Sequence, residues 1–165
     1  MRRAGFWTTL AGAGLAAGAA AAQPGTGYTV VPAAERLTVG RVFADATVEV
    51  QVVFAILLIS VVAALAIWAI SLPKVGKGDA AGLAGALGRL RIVRSAATPL
   101  GFLAASYTLF AGFIGIANVR PTPTISVLAP GWAEAALAVM LGLLATTVAV
   151  VCERHLEARV RRAAA

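Results

Sequence analysis

The chain has 165 residues, a formal net charge of +7, 60% hydrophobic residues and 13% charged ones, with a positive mean hydropathy. A composition this apolar and this poor in charge excludes a soluble enzyme domain and places the chain in the membrane class. The basic excess points away from nucleic acid, because Lys and Arg are scattered at segment ends with no aromatics interleaved in a soluble basic face; it reads as topology-setting charge.

Residues 1–22 have the layout of a secretory signal: Arg2 and Arg3 as the charged head, a short apolar run from Phe6 to Leu15, and Ala20, Ala21 and Ala22 before Gln23 and Pro24. Cleavage after Ala22 is expected. The alternative, a retained fourth helix, is disfavoured by the Gly/Ala-rich, weakly hydrophobic run. Residues 23–51 form a polar linker with Pro24, Gly25, Gly27 and Pro32, too poor in apolar surface for a core of its own. It is expected to be exposed and partly disordered, with room for a short helix before the membrane.

The first span is predicted over residues 52–72, with Trp68 as an interfacial anchor and Pro73 and Lys74 as its stop. Ser60 is its only mid-span polar residue, and a lone Ser bonds back to its own helix. Residues 73–95 read as a connecting loop carrying Lys74, Lys77, Arg89, Arg91 and Arg94 against Asp79 alone. Leu83, Leu87 and Leu90 fall at helical spacing and predict a short amphipathic helix within it. Attraction to anionic lipid accounts for the Arg cluster.

The second span is predicted over 96–117. Gly101, Ala104, Ala105, Thr108, Gly112 and Gly115 form one small-residue stripe. Thr108 is the hydroxyl on that stripe, with two readings: back-bonding to a carbonyl one turn earlier, or lining a hydrated path. Residues 118–132 make a short outer connection with Pro121, Pro123 and Pro130, in which helix can begin by Thr124 and continue through Pro130.

The third span, 133–152, is long enough to cross a hydrocarbon core of ~30 Å at ~1.5 Å per residue. Glu134 lies in its first turn, and Ala138, Gly142, Ala145 and Ala149 share its stripe, the small-residue spacing by which helices pack closely in lipid. A Glu in a first turn is also favoured by the helix dipole and can snorkel to water. Residues 153–165 form a polar helical tail. The single Cys, Cys152, and the single His, His155, have no metal-ligand spacing and are assigned no site.

Basic residues crowd the 73–95 loop and the tail, whereas Arg36, Arg41 and Arg120 alone lie on the other side after signal cleavage. The positive-inside rule and the signal agree on a periplasmic N-terminus and a cytoplasmic loop and C-terminus. The expected fold is an all-α membrane protein with three transmembrane helices after a cleavable signal peptide.

The segment SVLAPGWAEAALAVMLGLLATTVAVVCERHLEARV resembles the last membrane helix of the MotA/TolQ/ExbB proton-channel family, through Ala129, Pro130, Gly131, Glu134, Ala135, Ala138, Gly142, Leu143 and Ala149. The preceding span resembles that family's second-last helix through Pro99, Gly101 and Phe113. The resemblance covers about 60 residues and implies a bacterial inner-membrane homo-oligomer, pentameric in known relatives. Its implied partners are an ExbD/TolR-like single-span protein and a TonB- or TolA-like transducer, coupled by proton flow, with no cofactor. It implies that Glu134 is the pore-facing carboxylate. The family's Thr positions fall at Ala105 and Val139, and its large cytoplasmic domain is cut to about twenty residues. Thr108, with Thr146 or Thr147, is the candidate replacement, and Glu134 with Thr108 the candidate proton path. Gly101, Ala105, Gly112, Ala138, Gly142 and Ala145 are the candidate helix-packing residues. A non-conducting scaffold of the same fold stays open as the second function. No nucleophile–base pair, metal cluster or phosphate-binding loop suggests an enzyme.

Overall fold

The computed structural model describes residues 36–121 and 124–164; the expected signal peptide and the first part of the linker lie outside the described residues. Four helices follow in order: α1 (Val39–Asp45), α2 (Val48–Gly76), α3 (Ala80–Ala117) and α4 (Ile125–Ala164). The last three each contain a run long and apolar enough to cross a membrane. Their outward faces carry Leu58, Ile59, Val62, Phe102, Leu103 and Phe110, all exposed. So much unpartnered apolar surface is compatible with lipid and not with water. These features suggest a multi-pass helical membrane protein.

Contacts set the directions. As numbering rises along α3 it falls along α4, through the pairs Arg91–Glu153, Thr98–Thr146 and Thr108–Glu134, so these helices are antiparallel. Helices α2 and α4 are parallel at a constant offset, because Trp68 meets His155 and Thr47 meets Glu134, both 87 residues apart. Helix α4 is the most enclosed of the three, with a larger share of its apolar run buried than either α2 or α3. One core layer joins Phe54 and Leu57 of α2, Ala104 and Ala105 of α3, and Ala138 and Leu141 of α4. A second, toward the basic end, joins Ala64, Leu90, Ala149 and Leu156.

Several element boundaries differ from expectation. Pro73 does not stop the first span; α2 runs on to Gly76. A proline removes only its own donor, and the carbonyl it frees, that of Ala69, lies on an exposed part of the helix, so the helix can continue past it. The actual stop is Gly78, whose φ of 67° only glycine adopts readily. The loop of 73–95 shrinks to three residues, since α3 begins at Ala80, capped by the Asp79 carboxylate accepting from the Gly82 N–H at 2.9 Å. The amphipathic segment is thus continuous with the second span: Leu83 and Leu90 are buried and Leu87 packs half-buried beside them.

The linker ends in α1, the short helix for which it has room before the membrane, but this part is not wholly exposed. Thr38 caps α1, Val42 and Ala46 are buried in the core, and the Gln51 amide donates to the Phe43 and Ala44 carbonyls at 3.2 and 3.0 Å. Those bonds satisfy carbonyls that the end of α1 would leave unpaired, so this part of the linker is folded onto the bundle. Helix α4 starts at Ile125 and passes through Pro130 without a break, as the spacing of the outer connection allowed. Ser60 donates to the Ile56 carbonyl at 2.7 Å, the back-bond expected of a lone mid-span Ser.

Candidate functional site

The α3–α4 seam positions the residues of interest, and its closest point is a pair of glycines. A Cβ on Gly101 would lie 2.6 Å from the Ala138 carbonyl oxygen, and one on Gly142 would lie 2.8 Å from that of Ala97. Only hydrogen fits between these backbones. Ala138 and Ala145 are fully buried beside the pair, and Ala105 is 6% exposed one turn outward. Thr98 and Thr146 meet across the same seam, hydroxyl to hydroxyl at 2.7 Å, while Thr147 turns back to the Leu143 carbonyl at 2.8 Å.

Toward the C-terminal end of α3 the two helices part. Gly112 does not join the packing stripe: it is exposed, with nothing within 4 Å of where a Cβ would stand. The separation opens a groove of about 350 Å³ walled by Thr108, Leu109, Gly112, Phe113, Val127 and Trp132. Periodicity places Gly112 on the stripe of Gly101, but a stripe does not say how far along it two helices stay in contact.

Glu134 lies at the inner edge of this opening, half-buried. The Thr108 hydroxyl donates to Glu134 Oε1 at 3.4 Å, so Thr108 does not back-bond within α3. That distance makes a weak bond. The Thr47 backbone amide, at the start of α2, faces the same carboxylate. Glu134 therefore touches both neighbouring helices through neutral donors, and no Lys or Arg among the described residues forms an ion pair with it. The family-like Thr positions are occupied by Ala105, in the tight seam, and half-buried Val139.

The opposite end of α4 carries a second carboxylate that the polar tail disguised. Glu153 is 2% exposed and is bound by Arg91 Nε at 2.9 Å and Arg94 Nη1 at 3.1 Å. Burial alone would push its carboxyl up; the hydrogen bonds and charges of Arg91 and Arg94 outweigh this and hold it below the usual carboxylate range. Arg91 and Arg94, read first as lipid-facing, thus have a partner inside the protein. One sequence signal does lead to Glu153: extending the stripe of Ala138, Gly142, Ala145 and Ala149 by another turn lands on Cys152 and Glu153. Beside it, Trp68 Nε1 donates to His155 Nδ1 at 2.9 Å, tying the interfacial Trp of α2 to α4.

Among the described residues no three His, Cys, Asp or Glu side chains are grouped to hold a metal ion. No model of a known protein family matches the chain, and no curated protein is significantly similar to it.

Proposed function

We propose that the chain is an ExbB/TolQ-like subunit of a proton-driven energy-transducing complex in a bacterial inner membrane, with its N-terminus periplasmic and its basic end cytoplasmic. The observation that carries this reading is Glu134: a carboxylate within an apolar span, hydrogen-bonded to Thr108 and in no ion pair among the described residues. A carboxylate is costly in such a place unless a cavity or partner uses it. The local resemblance around Ala129, Pro130, Gly131 and Glu134 supports the same role. In this reading Glu134 carries the proton, Thr108 orients it in place of the family hydroxyls, and an ExbD/TolR-like helix completes the path within a homo-oligomer. A TonB- or TolA-like transducer then receives the movement, since each proton crossing ~100 mV releases about 2.3 kcal/mol.

A second reading, a non-conducting scaffold, is favoured by one contact. Glu134 also faces the amide of Thr47, the N-cap of α2, where a carboxylate is stabilising without any transport. Proton flux through the complex reconstituted in vesicles separates the two. Glu134→Gln abolishes flux and coupled work if the first reading is right, and leaves partner assembly and function intact if the scaffold is. Thr108→Val lowers flux in the first case; unchanged flux removes Thr108 from the path.

A further inference from the structure

Two pairs of cations lie at the basic end of the bundle, and they differ in what answers their charge. Arg91 and Arg94 are bound to Glu153. Lys74, in the last turn of α2, and Arg89, in the third turn of α3, form no ion pair among the described residues. Asp79, which lies between them in sequence, accepts from the Gly82 N–H. Between Lys74 and Arg89 opens a pocket of about 210 Å³, also lined by Ile67, Ile70, Ser71 and Gly85.

Ser71 marks this pocket as more than a gap between basic side chains. It is 2% exposed, yet makes no hydrogen bond to any described residue, unlike Ser60, which bonds to its own helix. No buried side-chain oxygen is sealed away unpaired among the described residues, so the Ser71 hydroxyl keeps an open side, and the space beside it is the pocket. A hydroxyl and two cations converging on one small space are suited to an anion with several acceptor oxygens. The volume is below the ~300 Å³ at which small-molecule sites begin, a headgroup's size rather than a whole metabolite's. The wall toward the middle of α2 is apolar, with Ile70 64% exposed on the lipid-facing surface.

We propose that this pocket binds the phosphate headgroup of an anionic phospholipid. Lys74 and Arg89 pair with the phosphate, Ser71 donates a hydrogen bond to it, and the acyl chains run along Ile67 and Ile70. A free phosphate ion would share the polar contacts but leave the apolar wall unused. The inference needs the helices to span a membrane and does not depend on proton transport.

Native mass spectrometry of the full chain, titrated with phosphatidylglycerol in mild detergent, tests it. Lys74→Ala with Arg89→Ala is expected to weaken retention about 30-fold, at roughly fivefold for each cation near a headgroup. Gly85→Leu fills the pocket without changing charge, in a place where nothing lies within 4 Å of the new Cβ, and is expected to weaken retention too. Arg161→Ala with Arg162→Ala, at the exposed end of α4, should leave retention unchanged. Equal weakening by that control pair would reduce the effect to net charge and overturn the site. Displacement of the lipid by inorganic phosphate at matched concentration would reassign the pocket to a soluble anion. Unaltered binding in Gly85→Leu would overturn the pocket even if the double Lys74/Arg89 variant did not fold.

Discussion

Helix α4 carries a carboxylate at each end of its apolar run, and the two are held in opposite ways. Glu153 is almost wholly buried and bound by two guanidinium groups. Glu134 is half-buried and, among the described residues, met by a hydroxyl and a backbone amide. Cationic partners commit a carboxylate to its ionised form, because protonation would strand their charge. Neutral donors impose no such commitment, and a hydroxyl can reorient to accept from a protonated acid. The difference separates a clasp that holds α3 to α4 from a group able to exchange a proton without the seam coming apart.

Breaking the clasp gives the largest expected effect. Arg91→Ala with Arg94→Ala leaves Glu153 buried and uncompensated, and is expected to cost about 3 kcal/mol or more, measured by denaturant unfolding in detergent. Glu153→Gln costs less, on the order of 1–2 kcal/mol, because Arg91 and Arg94 are 65% and 47% exposed and can rehydrate. Adding Glu153→Gln to the double Arg variant should therefore restore part of the lost stability. If it does not, the clasp is not electrostatic. The pH dependence has a definite sign: the folded-state value of Glu153 is lowered, so its contribution is present above the ordinary carboxylate range and lost as pH falls through and below it.

The glycine pair between the two carboxylates comes next. Gly101→Ala places a Cβ against the Ala138 carbonyl and is expected to cost about 1–3 kcal/mol, since backbone cannot move aside as a side chain can. Gly112→Ala, on the same stripe but over open space, should be nearly neutral in the same measurement. The smallest effect belongs to Glu134→Gln, expected within about 1 kcal/mol, because a Gln carbonyl still accepts from Thr108. A large loss there would make Glu134 a second clasp and erase the contrast with Glu153.

What was legible depended on how local the cause was. Three long apolar segments, the buried face of Leu83, Leu87 and Leu90, and the Ser60 back-bond each follow from residues within a turn or two of one another. The boundary errors at Pro73 and over 73–95 arose where a local rule met a local exception. A proline near a helix end is tolerable, and an amphipathic segment need not break before the span it leads into. The tail from Glu153 to Glu157 looked like a solvated extension because its partners are about sixty residues away in sequence.

By itself the sequence determined that this protein is helical, that three of its segments suit a membrane, and where their small-residue stripes lie, because hydrophobic length and helical period are properties of one segment at a time. Tertiary structure alone decided that the stripe closes at Gly101 and Gly142 and opens at Gly112, that Thr108 turns to Glu134, and that Glu153 rather than lipid answers Arg91 and Arg94. Those outcomes depend on the separation and register between helices, which no single segment encodes.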